Sequence, residues 1–512
     1  MKKFILITLF LFLLASSART QDPLRVEIKA KMENDVFNLM PCGEHGLLLF
    51  YQSVRMQDEK QRLWIFTFYD ETLEPQREYE VPLAEGVFYK EYLTDSLAGY
   101  MIFHNPNNIK DDEFNVQVVK FDYLQKQFSF IRGRIPGKAE LADAALMKEK
   151  VYFGFNMKRY ETGLFYADFN KHIFGTIDLN PPDKALVETI YPDRRNGLVR
   201  VMVNDFLSRK ENQFLLYNYS EEGALISRLS IKPENEEIEL NSVRMTNNSN
   251  KLMLIGTYNN SSGRLSDIKN EDEVISAGLY VSAVEGNRVE FIRLHNFLEF
   301  KNFTTYVNAS ELFRLRRKSM KNPDDPQEYS LNYRLLLHDI QQKDDEYILL
   351  AESYYPDYRT VSYITYDYYG RPFPQTYSVF EGYKYFSGII AGFDDKGNLL
   401  WDNGIKVMDL TTFRLEKKLV GFFSGDDLVL AYNTQGKVAS EIFDNGITVG
   451  DFEYISLEQK YKKDKLMKAA NSGIIHWYDS YFICFGYQEI RNNALPGNSR
   501  RTVFYINKLA FE

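Results

Sequence analysis

Glu352 is the one candidate for acid–base chemistry in this sequence. It directly follows the apolar run Tyr347–Ala351, where burial would raise the pKa of a carboxyl. A glycosidase would need a second carboxylate across its substrate, and Asp357, Asp367 and Glu381 lie nearby in the sequence. The alternative is that Glu352 simply ends a strand, because equivalent positions elsewhere carry amides or threonine. Glu352 is therefore a weak catalytic candidate.

Other catalytic and cofactor motifs are absent from the sequence. The six histidines show no pair at i, i+2 or i, i+4, and there is no Cys-x-x-Cys, which argues against a recognisable zinc site. Neither the G-x-S-x-G nucleophile elbow nor the G-x-x-x-x-G-K-[ST] nucleotide loop occurs. We predict no metal and no cofactor, and we favour a binding protein over an enzyme.

An aromatic stretch, Tyr354–Phe386, is the strongest candidate for binding. Thirteen of its 33 residues are Tyr or Phe, and such rings offer flat apolar faces with hydroxyl tips to a sugar or a peptide. The alternative is that the rings pack on one another to order a long loop. The predicted binding residues of this stretch are Tyr354, Tyr355, Tyr358, Arg359, Tyr368, Tyr369, Arg371, Phe373 and Tyr383.

A basic cluster in the segment 295–331 is a second candidate surface. Arg314, Arg316 and Arg317 could meet an anionic partner, such as an acidic glycan or a lipid headgroup. The alternative is a solvated helix end. Earlier in the segment, Phe297, Phe300, Phe303 and Val307 are spaced so that a helix would place them on one side.

The elements that must position these residues form a repeat of short strands. Each unit contains a continuously apolar strand, and continuous apolarity is typical of a strand covered on both faces. Three of the intervals between these strands are close to 52 residues. The eight apolar second strands are Leu47–Tyr51, Tyr100–Phe103, Val151–Phe155, Phe214–Tyr217, Leu252–Ile255, Tyr347–Ala351, Leu428–Tyr432 and Tyr481–Phe485.

The repeat predicts an all-β fold, a β-propeller of four-stranded antiparallel blades with a partly helical insertion. We count eight blades; seven is the alternative because the fourth is compressed, and a β-sandwich array is the other architecture. The last unit shows three strands, and a lone strand at Leu24–Lys31 could supply the fourth and close the ring. Residues 19–512 then form one domain, with insertions at 295–331 between blades and at 354–386 within blade six. We expect these two insertions and the connection formed by residues 259–276 to leave from the same face of the propeller.

The segment Ala391–Trp401, AGFDDKGNLLW, resembles the repeat of secreted bacterial β-propellers of the SBBP and quinoprotein-like kinds. Asp394 and Gly397 suit a tight hairpin, and Trp401 would pack between blades. The resemblance implies the fold. It implies no cofactor, because quinoprotein propellers carry Trp in most blades and this chain has three Trp residues.

The N-terminus has the three parts of a secretory signal peptide: Lys2 and Lys3, an apolar run to Leu14, and small residues to Ala18. We predict cleavage after Ala18 and release into the periplasm or beyond, without a lipid anchor because no Cys lies near the site. No later segment could span a membrane. A net charge of −9 disfavours nucleic acid as a partner.

The two cysteines lie near opposite ends of the chain. Cys42 and Cys484 could form a disulfide in an oxidising compartment if they meet; the alternative is two unrelated buried thiols. Together these features predict a secreted, non-enzymatic binding or scaffold protein of the bacterial cell envelope that recognises a glycan or protein partner. The alternative is a polysaccharide-active enzyme, a glycosidase or lyase, on the same scaffold.

Overall fold

The computed structural model describes residues 24–511 except 33–34, 108–113, 137, 209–210, 249–250, 261–274, 303, 305–308, 322–330, 367, 451 and 496–498. The predicted signal peptide lies outside the described residues. Within them the chain forms eight sheets, each with a four-stranded antiparallel path.

The strand bounds follow the chain from blade to blade. Blade one contains β2 (Phe37–Pro41), β3 (Leu47–Met56), β4 (Gln61–Tyr69) and β5 (Pro75–Ala84), with a 3-10 turn at Gly43–His45. Blade two contains β6 (Phe88–Thr94), β7 (Ala98–His104), β8 (Val116–Asp122) and β9 (Gln127–Gly133). Blade three contains β10 (Ala139–Met147), β11 (Lys150–Met157), β12 (Glu161–Asp168) and β13 (Ile173–Ile177). Blade four contains β14 (Ala185–Asp193), β15 (Leu198–Ser208), β16 (Glu211–Ser220) and β17 (Leu225–Ile231).

The second half of the chain repeats this pattern with additions. Blade five contains β18 (Ile238–Asn248), β19 (Lys251–Asn260), β20 (Gly278–Glu285) and β21 (Arg288–Asn296). Helix α1 (Ala309–Lys321) precedes blade six, which contains β22 (Arg334–Leu337), β23 (Gln341–Lys343), β24 (Glu346–Tyr366), β25 (Pro372–Phe393), β26 (Leu399–Lys406) and β27 (Thr411–Thr412). Blade seven contains β28 (Leu419–Ser424), β29 (Asp427–Thr434), β30 (Lys437–Asp444), β31 (Ile447–Thr448) and β32 (Glu453–Ser456). Blade eight contains β33 (Lys465–Tyr478), β34 (Tyr481–Arg491), β35 (Arg500–Ala510) and the N-terminal strand β1 (Arg25–Lys29).

The sheets are arranged as a closed ring. Eight apolar clusters each lie between two consecutive blades, and one of them joins blade eight to blade one, where Ile483 and Phe504 pack with Leu49. Middle strands such as β7 are buried along their whole length, as a strand covered by a neighbouring blade on each face must be. The eight-bladed propeller is confirmed, and the seven-bladed and sandwich alternatives are wrong.

The two ends of the chain close the ring within blade eight. Strand β1 pairs antiparallel with β35, from Arg25 opposite Asn507 to Lys29 opposite Val503. The Arg25 guanidinium donates hydrogen bonds to the side-chain oxygens of Asn507 at 2.7 Å and Gln488 at 2.8 Å. It also pairs with Glu27 at 2.9 Å. The predicted closing strand is confirmed, and a mostly buried polar network fixes its register.

Blade four differs from the expected assignment. The apolar run Phe214–Tyr217 belongs to the third strand, β16, and the second strand is β15. β15 was not recognised as a continuously apolar strand because Arg200 interrupts its apolar run. In the fold that guanidinium is almost fully buried and lies 2.7 Å from the Asp193 carboxylate. With β15 in place, blade four is complete and is not compressed.

The cysteines do not form the disulfide that the sequence left possible. Both are free and buried. Cys42 lies in the cluster between blades one and two, whereas Cys484 lies between blades seven and eight. The thiols belong to different blade interfaces, as the alternative of two unrelated buried thiols expected.

The hairpin at Asp394–Gly397 joins β25 to β26 as expected. The Asp394 carboxylate accepts the backbone N–H groups of Lys396 at 3.0 Å and Asn398 at 2.7 Å. Gly397 has φ +76°, a conformation that glycine adopts without strain. Trp401 packs against the cluster between blades six and seven, and its indole N–H donates to Glu346 at 3.1 Å.

Candidate functional site

The aromatic stretch is a continuous β-hairpin and is not a loop. Strands β24 and β25 stay in register from Tyr354 opposite Tyr385 to Tyr366 opposite Pro372, with bulges near the base. Their neighbours in the sheet stop earlier, since β22 reaches no further along β24 than Tyr354 and β26 and β27 reach no further along β25 than Tyr383. Among the described residues, 358–366 and 372–380 form a two-stranded ribbon with no third strand. Aromatic residues favour extended backbone, and this explains why the stretch forms strands.

The base of the hairpin is built into the propeller. Tyr354 is buried and Tyr383 is partly buried, both against the cluster between blades six and seven. Tyr355 lies with its ring 6.0 Å from that of Phe386. Tyr354 and Tyr383 therefore hold the ribbon in place, and their prediction as ligand-binding residues is corrected.

The ribbon itself presents aromatic side chains on both faces. Direct cross-strand partners share a face, so the even-numbered residues, including Tyr358 and Tyr366, lie on one face and the odd-numbered residues, including Tyr363 and Phe373, on the other. At the tip, Tyr368 is 97% exposed and Tyr369 is 80% exposed. Some rings contact each other, as the alternative expected; Tyr363 and Tyr377 are one such pair. The exposed apolar side chains that sequence reasoning did not single out are the rings of Tyr363, Tyr366 and Tyr377 and the aliphatic side chain of Ile364. Their period-two spacing is the signal that could have found them.

The two arginines of the stretch lie at opposite ends of the ribbon. Arg359 forms an exposed ion pair with Glu381 at 2.7 Å, beside a bulge near the base. Arg371 lies near the tip with its guanidinium 6.0 Å from the centre of the Tyr369 ring.

The two long edges of the ribbon differ chemically. On β25, Pro372 and Pro374 have no backbone N–H, and proline at a sheet edge blocks the addition of another strand. The facing segment of β24, residues 358–366, contains no proline. The β24 edge of the ribbon is therefore the more open one for backbone hydrogen bonding.

The excursions from blades five and six meet beside the base of the hairpin. Ser276, at the end of the connection after β19, forms an isolated bridge with Tyr333, at the end of the segment between the two blades. The two backbone hydrogen bonds measure 2.8 and 3.0 Å. The Tyr333 ring in turn lies 5.9 Å from that of Phe386 in β25. The described ends of the three excursions thus lie side by side.

The basic cluster lies on helix α1. Leu312 and Leu315 pack against the cluster between blades five and six, whereas Arg314 and Arg317 are exposed. Arg316 points the other way and donates to the carbonyl oxygens of Leu298 at 3.1 Å and Phe300 at 2.7 Å, so its prediction as a binding residue is corrected.

The predicted helical placement of Phe297 and Phe300 is wrong. Phe297 and Phe300 are buried in a turn and are not helical, because their rings pack into the blade interface. Phe303 and Val307 lie outside the described residues. The helix comes later in the segment, at α1.

Glu352 is a structural carboxylate. It is fully buried. Its Oε1 accepts the backbone N–H groups of Lys418 at 2.8 Å and Leu419 at 2.9 Å, and lies 2.6 Å from Nε2 of His338. Its Oε2 accepts the Lys418 N–H at 3.0 Å. These bonds tie blade six to the first strand of blade seven, so no substrate can reach this carboxyl and the catalytic prediction is corrected.

A charged cluster in the central channel was missed by sequence reasoning. It comprises Glu91 on β6, Asp143 on β10, Arg244 on β18, Asp339 between β22 and β23, and Lys417 before β28. The blades of a propeller surround a central channel, and across it groups from blades that are not neighbours act on one another electrostatically. Bulges beside Glu91 and Asp143, and at the matching positions of blades four and five, shape this wall.

The environment of the channel shifts several ionisation equilibria. Burial, with a contribution from Asp143, raises the pKa of Glu91 to about 8. Burial also raises the pKa of Asp143. The pKa of Lys417 is lowered by its enclosure within the ring and by the nearby Arg244, although water reaches its side chain. Among the described residues, no group of three His, Cys, Asp or Glu side chains is placed to hold a metal ion. The described helix is also too short and too polar to cross a membrane.

Comparison with known proteins gives only distant structural similarity. No family model and no curated protein matches the sequence. The polysaccharide lyase Uly1 shares 10% identity over 82% of this chain and 89% of its own, with a TM-score of 0.40. An uncharacterised protein from Listeria monocytogenes shares 10% identity over 86% of this chain and 100% of its own, with a TM-score of 0.41. A periplasmic gluconolactonase from Pseudomonas aeruginosa shares 9% identity over 82% of this chain and 96% of its own, with a TM-score of 0.34.

These similarities do not bear on activity, so the chemistry must come from the chain's own residues. The ribbon offers exposed rings, hydroxyl groups and an open backbone edge, which suit recognition of another molecule. The one catalytic candidate is occupied by backbone groups. The SBBP resemblance rests on Ala391–Trp401 and stays a prediction.

Proposed function

We propose that this protein is an exported, non-enzymatic recognition protein of the bacterial cell envelope, related in kind to the SBBP propellers, and that it binds a protein partner through the ribbon. The observation that carries the proposal is the ribbon itself, which extends beyond blade six with aromatic rings on both faces. A two-stranded ribbon is marginal in isolation, and this one is held at its base by buried Tyr354 and Tyr385. Such a projection serves contact with another molecule better than stability of the ring.

A polypeptide suits this surface better than a glycan. An extended partner segment can add to the open β24 edge through main-chain hydrogen bonds, while its side chains meet rings on the two faces. The exposed side of helix α1, with Arg314 and Arg317, would meet acidic residues of the same partner. The described residues of the ribbon form two strands with exposed side chains on both faces, an arrangement that does not enclose a sugar chain as a cleft would.

Export rests on the N-terminal sequence. Cleavage after Ala18 would leave the closing strand β1 intact, since β1 begins at Arg25, and export is thus compatible with the ring. The competing function, a polysaccharide-active enzyme, loses its candidate acid with the burial of Glu352.

The proposal is tested by replacing residues 358–381 with an Asn-Gly turn, which suits a two-residue hairpin between the paired residues Asp357 and Gly382. The variant should fold, and capture of partners from envelope extract should fail. Prior protease treatment of the extract should also abolish capture, whereas glycan digestion should not. Capture that survives ribbon removal would refute the proposal, and capture lost only on glycan digestion would assign a glycan instead.

A matched pair of variants tests the edge. Ser362 on β24 and Thr376 on β25 face each other directly in the ribbon, so proline at either position disturbs the same cross-strand pair. Ser362→Pro removes an N–H from the open edge strand, whereas Thr376→Pro adds to an edge that already contains prolines. We expect Ser362→Pro to weaken capture strongly and Thr376→Pro to have little effect. Equal losses would argue against strand addition.

A further inference from the structure

The prolines of β25 fix the direction of the backbone groups along the ribbon. Pro372 lies opposite Tyr366, and Pro374 lies opposite Ile364. Proline has no N–H to donate across the ladder, so these are the non-hydrogen-bonded pairs, whose backbone groups face away from the partner strand. The register continues without a break to Ser362. The even-numbered residues of β24 therefore direct their N–H and C=O groups out of the open edge.

This edge lacks the features that usually protect an exposed strand. Arg359 is the one charged residue within 358–366, and residues 360–366 contain no charge, proline or glycine. A long uncharged edge of β-favouring residues pairs readily with another strand. A two-stranded ribbon also becomes more stable when further strands join it. The open edge is thus suited to receive a strand from another molecule.

The sequence of the open edge is complementary to itself. When two copies pair antiparallel about Ser362, every even-numbered residue lies opposite an even-numbered one, as the outward-facing backbone groups require. No like charges face each other in this register, and most pairs join aromatic and β-branched side chains, which favour cross-strand contact. The opposed pairs are Tyr358–Tyr366, Thr360–Ile364, Val361–Tyr363, Arg359–Thr365 and Ser362–Ser362.

The other edge of the ribbon limits the assembly to two copies. Two ribbons joined at β24 form a four-stranded sheet whose two outer strands are both β25. Pro372 and Pro374 withhold N–H donors from each outer edge, which opposes the addition of a third copy. The contact is two-fold and closed, as in most homodimers. With Ser362 at the centre, the exposed tip residues Tyr368 and Tyr369 of each ribbon reach towards the base of the other.

We propose that two copies of this chain associate through the β24 edges of their ribbons, antiparallel about Ser362, to form a closed dimer. This inference rests on the proposed function and identifies the protein partner as a second copy of the chain. The contact is confined to the ribbons and is therefore smaller than a standard interface. Such contacts are weak and reversible, so we expect monomer and dimer in equilibrium at micromolar concentrations.

Sedimentation velocity of the purified chain, over a series of concentrations, tests the dimer. The wild type should shift from monomer to dimer as the concentration rises, with no larger species. A double variant, Thr360→Lys with Ile364→Lys, places lysine opposite lysine and should weaken self-association about tenfold or more. The control Thr376→Lys with Ser378→Lys adds the same charge to β25, away from the paired edge, and should still dimerise.

A charge swap tests the register. Thr360→Glu with Ile364→Glu should also be monomeric alone, because glutamate then lies opposite glutamate. An equal mixture of the lysine and glutamate variants pairs opposite charges at both positions and should restore the dimer. Circular dichroism of each variant confirms that the propeller is folded before mixing.

Three results would overturn the inference: a wild type that stays monomeric, a lysine variant that still dimerises, or a mixture of folded variants that does not. Growth into larger species would contradict the closed contact. A monomeric wild type that still captures a protein through its ribbon would leave the proposed function standing with a different partner. Capture that persists without the ribbon would instead refute the proposed function itself.

Discussion

Removal of the Glu352 carboxyl should destabilise the junction of blades six and seven without affecting partner capture. In Glu352→Ala, the N–H groups of Lys418 and Leu419 and the ring of His338 lose their acceptor. Removing one partner of a buried charged network costs about 3–5 kcal/mol. Glu352→Gln keeps one acceptor oxygen but turns an NH₂ toward the Lys418 N–H, so we expect a loss of about 1–2 kcal/mol.

Urea unfolding followed by tryptophan fluorescence measures this loss. Trp401 packs against the same blade interface and should report its opening. Glu416→Ala is the matched control, because Glu416 lies in the same link and its side chain is 51% exposed beside Lys418; exposed pairs contribute about 0–1 kcal/mol. If the free energy of unfolding of Glu352→Ala lies within about 0.5 kcal/mol of the wild-type value, Glu352 does not link the two blades as described.

Three further outcomes follow from the ring. Deleting residues 25–29 uncovers the edge of β35, so thermal stability should fall and light scattering should detect oligomers formed through that edge; a monomer of unchanged stability would contradict the closure. A reducing agent should leave the melting temperature unchanged, since Cys42 and Cys484 are unpaired, and a drop on reduction would indicate a bond. Because the pKa of Glu91 is raised from 4.5 to about 8 on folding, the free energy of unfolding should fall as the pH rises between these values. Glu91→Gln should show a shallower fall over that range, and an identical slope would argue against the raised pKa.

The architecture was predictable because both faces of each middle strand are buried. A run such as Tyr100–Phe103 is apolar at every position, and all four residues are buried in the fold. The closing strand was predictable because the last repeat unit showed only three strands, whereas a lone strand near the start of the sequence belonged to no unit. Blade four was misread because Arg200 interrupts an apolar strand, and the sequence gives no sign that Asp193 neutralises it in the interior.

The candidate sites were predictable only in part. The aromatic stretch was found by composition, but its period-two spacing, which makes it a ribbon, was overlooked. Glu352 was recognised as the end of a buried strand, yet its partners at Lys418 and Leu419 lie far along the chain. The charged groups of the channel, such as Glu91 and Lys417, come from different blades and influence one another only because the ring closes, so no local pattern could have indicated them.

The pairing of β1 with β35 also determines when the native state can first exist. Arg25 finds its partner at Asn507, so strand β1 waits for a residue that lies 482 positions later in the chain to be synthesised. Contacts that span so much of the sequence are slow to form. A product that terminates before Arg500 has no β35 for β1 to join, and closure thereby excludes any chain that lacks this strand.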